Sequence, residues 1–237
     1  MKRRAFLIGG SAAGAAVVGV WAVRKLSRQA AKGGEKLVPP AGEPIPVAFA
    51  LSPGATMIDF AGPWEVFQDV VIEDPTSGPR PAFSLFTVAE TTEVITASAG
   101  MKIVPEYSYQ TAPSPKVVVI PAQSGSPALH AWLRKTIAST DVMMSVCTGA
   151  FQLGRAGLLA GKEATTHHDF FDRFEKSFPD VKLKRGPRFV EGPKISTAGG
   201  LTSGIDLALR VVERYFGRER AEKTAFYMEY QSKGWVV

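Results

Sequence analysis

Four consecutive β-branched residues, Val117-Val118-Val119-Ile120, narrow the class of fold open to this chain more than any other feature. A strand with one wet face alternates apolar and polar residues. An unbroken apolar run belongs to a strand buried on both faces, as in the centre of a parallel sheet covered by helices. The surrounding pattern agrees. Further strands are expected at 46–51, 83–88, 142–146, 189–190 and 194–197. Apolar residues at helical spacing predict helices over 62–71, 128–137, 149–159, 170–178, 201–216 and 220–230. Strands and helices alternate, which predicts an α/β fold with a mostly parallel sheet and helices on both faces.

The N-terminus follows a different rule. Lys2-Arg3-Arg4 precedes a stretch from Ala5 to Val23 without a charged residue, closed by Arg24-Lys25. A basic start and an apolar middle are the marks of an export signal. Arg3-Arg4-Ala5-Phe6-Leu7 is similar to the twin-arginine signal, which addresses folded proteins for export. The apolar stretch is at the lower limit of a membrane-spanning helix. Arg28-Gln29-Ala30-Ala31 makes a poor cleavage site. Residues 1–36 therefore read as an export signal or a retained N-terminal membrane anchor. Residues 37–45, with Pro39, Pro40 and Pro44, read as a linker, and residues 46–237 as the folded domain. The expected location is the bacterial periplasm or the membrane surface, with membrane contact through the N-terminal segment alone.

Charge supports this division. Residues 1–36 hold eight of the 28 Lys and Arg but only Glu35 among the 22 acids, so the formal net charge of +6 belongs to the leader. The body is near neutral, and no nucleic-acid partner is expected.

One cysteine excludes an intramolecular disulfide framework and a zinc site of several thiolates. Its setting is informative. In Ser145-Val146-Cys147-Thr148-Gly149-Ala150 a predicted strand ends at the cysteine and a helix begins at once. That is the sharp strand–turn–helix elbow that lifts a nucleophile out of a sheet, and the small Gly149 and Ala150 suit the tight turn. A lone cysteine can instead fill a core gap. The strand C-terminus, where α/β sheets bind ligands, favours the nucleophile. Amide N–H groups at the helix start predict a thiol pKa below the ordinary value of about 8.5.

With these residues in place, the chain resembles a known family. Ile58-Asp59-Phe60-Ala61-Gly62-Pro63-Trp64-Glu65-Val66-Phe67 comes first, followed by the elbow and by Gly157-Leu158-Leu159-Ala160-Gly161. Ala164-Thr165-Thr166-His167 and Thr197-Ala198-Gly199-Gly200-Leu201-Thr202-Ser203-Gly204-Ile205-Asp206 then occur in the same order and at family-like distances. Together they are similar to the PfpI family of the class I glutamine amidotransferase-like superfamily. Within it, the resemblance is to isonitrile hydratase and to the ligand-sensing domains of AraC-type regulators.

The resemblance implies a flavodoxin-like three-layer sandwich, a homodimer, and a small-molecule substrate. It implies that Cys147 is the nucleophile, Asp59 the catalytic acid, and Thr148 the threonine that follows the nucleophile in isonitrile hydratase. His167 falls at a position near the cysteine in several branches. Peptidase-like members carry histidine directly after the cysteine, so Thr148 counts against a protease. Where many members have Pro-Gly-Gly, this chain has Pro121-Ala122-Gln123, whose N–H and side-chain amide are candidates to line the pocket. The implied activity is a hydratase (lyase) without a cofactor. The alternative is a non-catalytic ligand, redox or stress sensor. The regulators carry a C-terminal DNA-binding domain, and none is expected ahead of Val237.

The remaining candidates are read from the residues themselves. Asp59 either caps the helix at Gly62 or faces the pocket, and the strand-end loop favours the pocket. A carboxyl desolvated there should keep its proton while the thiolate forms. His167 and His168 should point to opposite sides of an extended segment, and without a third ligand no metal is expected. Gly199-Gly200 either lines the pocket or makes a tight turn. Glu65 and Asp206 are expected on helix surfaces or at a dimer contact, and Lys182, Lys184, Arg185 and Arg188 on a solvated surface.

Overall fold

The computed structural model describes residues 34–74 and 78–237, so the predicted leader, apart from its last three residues, lies outside the described residues. The central sheet has strands β1 (Ile45–Ala50), β2 (Phe83–Ala89), β3 (Tyr107–Ser108), β4 (Val117–Ile120), β5 (Val142–Ser145), β6 (Phe189–Val190) and β7 (Ile195–Ala198). Their order is β6-β7-β5-β4-β1-β2-β3. Every neighbouring pair is parallel except β6 with β7. The helices are α1 (Met57–Gln68), α2 (Pro127–Thr136), α3 (Ala150–Arg155), α4 (Phe171–Ser177), α5 (Ser203–Phe216) and α6 (Arg218–Tyr227).

All four residues of β4 are fully buried, and the period of two sends them into two cores. Val117 and Val119 join Phe49, Phe67 and Leu209 under α1 and α5. Val118 and Ile120 join Leu129, Leu133 and Leu153 under α2 and α3. Each such side chain contributes about 1.5–3 kcal/mol by leaving water, and a charge at Val119 would break the sheet at its centre. The result is a three-layer flavodoxin-like sandwich with β4 and β5 in the middle, as the sequence predicted. Among the described residues no helix is long and apolar enough to cross a membrane.

Two helices differ most from expectation, by four or five residues at one end. α1 begins at Met57, five residues before the predicted start. Gly62-Pro63 reads as a helix start, because proline lacks the N–H that an interior turn needs. Here Pro63 lies inside the helix. Gly62 serves packing instead: a Cβ there would sit 2.8 Å from Ile205 Cγ1 of α5. α3 is shorter than expected and stops at Arg155, and Gly157 just beyond it has a left-handed φ of 74°.

The C-terminal segment is anchored by Asp206, which is fully buried on α5 and not on a surface. Its carboxylate accepts hydrogen bonds from Arg188 Nε, from Tyr230 OH at 3.2 Å and from Ser232 Oγ at 3.2 Å. The basic run is paired too: Lys184 with Glu163, and Arg185 with Asp172 and Glu175. Arg188→Met leaves Asp206 without its cation. The Arg188 side chain is 40% exposed, so the expected loss is about 1–2 kcal/mol, below that of a fully buried pair. Thermal denaturation should show a melting temperature roughly 2–8 °C lower. No change would mean that Tyr230 and Ser232 satisfy the carboxylate alone. Ahead of β1, Leu37 N–H donates to Arg214 O at 2.8 Å and Arg214 Nε to Glu35 O at 3.1 Å, docking this segment on α5.

Candidate active site

β5 delivers the chain to the C-terminal edge of the sheet, where Val146 N–H donates to Ile120 O at 3.0 Å. Cys147 then turns sharply, with φ of +57°, into a 3-10 turn over Cys147–Gly149 that leads into α3. A left-handed backbone costs a non-glycine residue about 1–2 kcal/mol. Neighbouring bonds hold it there. Cys147 N–H donates to Gly199 O at 2.7 Å, and Thr166 Oγ1 donates to Cys147 O at 2.9 Å. Gly149 is required by proximity, since a Cβ would lie 2.2 Å from Ile120 O. This is the predicted elbow, at the predicted end of the sheet.

Asp59 comes to the elbow from the first turns of α1 and is fully buried. Its Oδ2 accepts the Ala122 N–H at 3.0 Å. The Cys147 thiol faces the carboxyl and stabilises its charged form by a hydrogen bond. Oδ1 is buried without a hydrogen-bond partner among the described residues. Thr56 occupies the cap position of α1, so Asp59 is not a helix cap.

Burial raises the Asp59 pKa to about 6, against the opposing pull of the Ala122 N–H and the thiol. Burial first, then the Asp59 charge, raises the Cys147 thiol to about 11. The Thr148 N–H, the Leu201 N–H and the Thr148 hydroxyl act in the other direction and are outweighed. The expectation of a depressed thiol pKa is therefore corrected. Between about pH 6 and 11 the pair carries one charge, with the proton on sulfur and the charge on Asp59. The order assumed from sequence is reversed: Asp59 rests ionised beside a thiol.

Residues 46–214 match the DJ-1/PfpI family. The chain belongs to it. It is 28% identical over 192 residues to isonitrile hydratase of Pseudomonas putida, covering 78% of each chain. It is 36% identical over 101 residues to the HTH-type transcriptional regulator CdhR of Pseudomonas aeruginosa, covering 43% of this chain and 30% of that protein. A crystal structure of a THiJ/PfpI family protein from Pseudomonas syringae superposes with a TM-score of 0.70 at 26% identity, covering 81% of this chain and 77% of that one.

In this DJ-1/PfpI protein the candidates divide into two groups. Cys147, Asp59, Thr148, Gly149 and Gly199 converge on the elbow through the contacts above. Gln123 lies beside it: Nε2 donates to Ala50 O at 2.9 Å, while Oε1 is buried without a partner among the described residues. Gly200 and His167 form the next shell, since a Cβ at Gly200 would lie 2.3 Å from His167 Cδ2. The histidines do not point apart. His167 caps a 3-10 turn starting at His168, which brings the two rings into a stack 4.4 Å apart. Asp169 follows, and ligand atoms of His167, His168 and Asp169 lie within 4.8 Å of one another. His168 and Asp169 are open to solvent.

Three contributors escaped the sequence reading. Leu201, also left-handed at φ of 53°, turns its N–H to the sulfur. Thr166 holds the Cys147 carbonyl, and Ala122 supplies the N–H on Asp59. Two of the three act through backbone atoms, which carry no residue-type signal. Thr166 sat in a motif that was read only for its histidine.

Proposed function

We propose that this protein is a cysteine-dependent hydratase acting on small electrophiles, of which isonitriles are the leading class. The observation that carries the reading is the fully buried Asp59 carboxyl, coupled to the Cys147 thiol, whose Oδ1 has no hydrogen-bond partner among the described residues. An ionised carboxylate with a pKa of about 6 is a matched base for neutral pH. Asp59 takes the thiol proton as sulfur bonds to the isonitrile carbon, and returns it to that carbon to give a thioimidate. Water positioned by Thr148 then adds to the same carbon and loses a proton to Asp59. Asp59 passes that proton to nitrogen, the C–S bond breaks with its electron pair going to sulfur, and the remaining hydroxyl proton passes through Asp59 to the sulfur, restoring the thiol. The product is an N-substituted formamide and the net reaction is addition of one water.

The test is turnover of isonitriles by the purified domain, followed as formamide release. Cys147→Ser should abolish it. Wild-type protein that alkylates normally at Cys147 but turns over no isonitrile would sink the reading. Similarity to a regulator supports a second one, a ligand or redox sensor. Reversible sulfenate formation at Cys147 without turnover would favour it. We extend the proposal to a homodimer exported through residues 1–36, which sedimentation and cell fractionation would test.

A further inference from the structure

A cleft of about 140 Å³ opens at the residue directly after the nucleophile, lined by Thr148, Gln123, Phe151 and Phe170. Its rim carries two guanidinium groups, Arg155 from the end of α3 and Arg173 from α4. Both are held over one ring: their Cζ atoms lie 5.9 Å and 5.7 Å from the centroid of Phe151. Phe151 is itself fixed edge-on by Phe174 at 5.1 Å and Phe178 at 5.8 Å. Other exposed cations nearby are spent on carboxylates, as Arg185 is on Asp172 and Glu175. Arg155 and Arg173 have no such partner among the described residues, and both guanidinium groups sit over Phe151. At the floor, Gln152 is fully used. Its Nε2 donates to Gln123 O at 2.9 Å and its Oε1 meets His130 Nε2 at 2.9 Å. Gln123 Oε1 is a buried acceptor without a hydrogen-bond partner among the described residues.

We propose that this cleft selects small organic carboxylates, with Arg155 and Arg173 binding the carboxylate and the electrophilic carbon placed at Cys147. The selection of charge deepens the hydratase reading and rests on Cys147 being the nucleophile. Planar guanidinium forks stacked on an aromatic ring are suited to a carboxylate. The volume is below the roughly 300 Å³ at which drug-sized pockets begin, which limits the ligand to a few heavy atoms beyond the reacting group.

The experiment compares iodoacetate with iodoacetamide, two alkylating agents of nearly equal size that differ in charge. In each, the C–S bond forms as iodide leaves with the C–I electron pair, and the thiol proton goes to buffer. The single cysteine makes intact mass a one-site readout. The ratio of the two rates cancels any general effect on the thiol. For wild-type protein the iodoacetate-to-iodoacetamide ratio should exceed that of N-acetylcysteine by about tenfold, in the range for a charged cleft. It should fall with added salt. In Arg155→Met/Arg173→Met it should return to the free-thiol value, with Arg→Lys at both positions restoring part of it. A wild-type ratio equal to that of N-acetylcysteine would overturn the proposal. So would a ratio insensitive to the double substitution.

A second measurement does not need the thiol. Propionate and propionamide are titrated by calorimetry against Cys147→Ala protein with and without the two arginines. Propionate binding that weakens at least tenfold without the arginines supports charge selection. Equal binding of acid and amide overturns it. If neither alkylating agent reacts yet propionate binds through the arginines, the nucleophile reading fails and the selection stands.

Discussion

Asp59→Asn should lower isonitrile turnover by about a thousandfold and, at neutral pH, make the protein more stable. The loss follows from removing a general base, a change typically worth 10²–10⁴ in rate. The gain follows from burial. The fully buried Asp59 carboxyl has its pKa raised from 3.8 to about 6. A raised acid pKa means that the native state binds the proton more tightly than the unfolded chain does. The associated stability is complete below about pH 4 and is lost as pH climbs through about 6. Above that, the fold carries the full cost of a buried charge, about 3 kcal/mol at roughly 1.4 kcal/mol per unit over the rise from 3.8 to about 6. Asparagine is neutral and can still accept the Ala122 N–H. Its melting temperature at pH 7.5 should exceed the wild-type value by roughly 6–12 °C, with the difference gone at pH 4. Alkylation supplies a third sign. Loss of the Asp59 charge removes one cause that raises the thiol pKa, so the alkylation profile should move to lower pH. A purely structural polar residue would show neither effect, since asparagine caps a helix as well as aspartate does. Unchanged stability at pH 7.5 together with unchanged turnover would therefore return Asp59 to a structural role.

The same pair marks how far the sequence could be read. The elbow was legible because its requirements are local. A buried strand, a cysteine and two small residues in succession admit few other structures, and the parallel sheet was legible from Val117–Ile120 for the same reason. The thiol electrostatics were not. Sequence displays the N–H groups of Thr148 and the helix start, but not that Asp59 arrives from 88 positions earlier with its charge intact. Asp206 was misjudged in the same way. A carboxylate early in a helix looks like a surface residue until Arg188, Tyr230 and Ser232, all from other segments, close over it. The helix at Met57 was placed late because Gly62-Pro63 carries a local signal for a start, whereas its tertiary use is close contact with Ile205. His167 and His168 were assigned the alternation of a strand, and a turn at that point stacks them instead. The histidine pair apart, where a local turn replaces the strand, the error lies where a long-range contact overrides a short-range preference.

Gly149→Ala should be the most damaging single-methyl substitution at the elbow. Gly149 has an ordinary helical backbone, with φ of −55°, so alanine is not disfavoured by its torsions. The obstacle is space. The added Cβ would meet Ile120 O at 2.2 Å and Pro121 O at 2.9 Å, both backbone atoms. A flexible side chain could swing away, but Ile120 cannot. It is a fully buried residue of β4, its carbonyl accepts the Val146 N–H, and it pairs with Ser145 of β5. Relief requires the turn at Cys147–Gly149 to lift from the sheet. That strains the Cys147 N–H bond to Gly199 and moves the sulfur away from Asp59. Overpacking in a core costs about 1–3 kcal/mol, and more where the neighbours cannot yield. We expect about 3 kcal/mol or more here, read as a melting temperature roughly 6–12 °C below wild type. Turnover should fall further than stability accounts for, because the surviving folded fraction holds a displaced thiol. A variant with unchanged melting temperature and activity would show that the elbow is free to move off the strand, and the close approach of Gly149 to β4 would then have no part in placing the nucleophile.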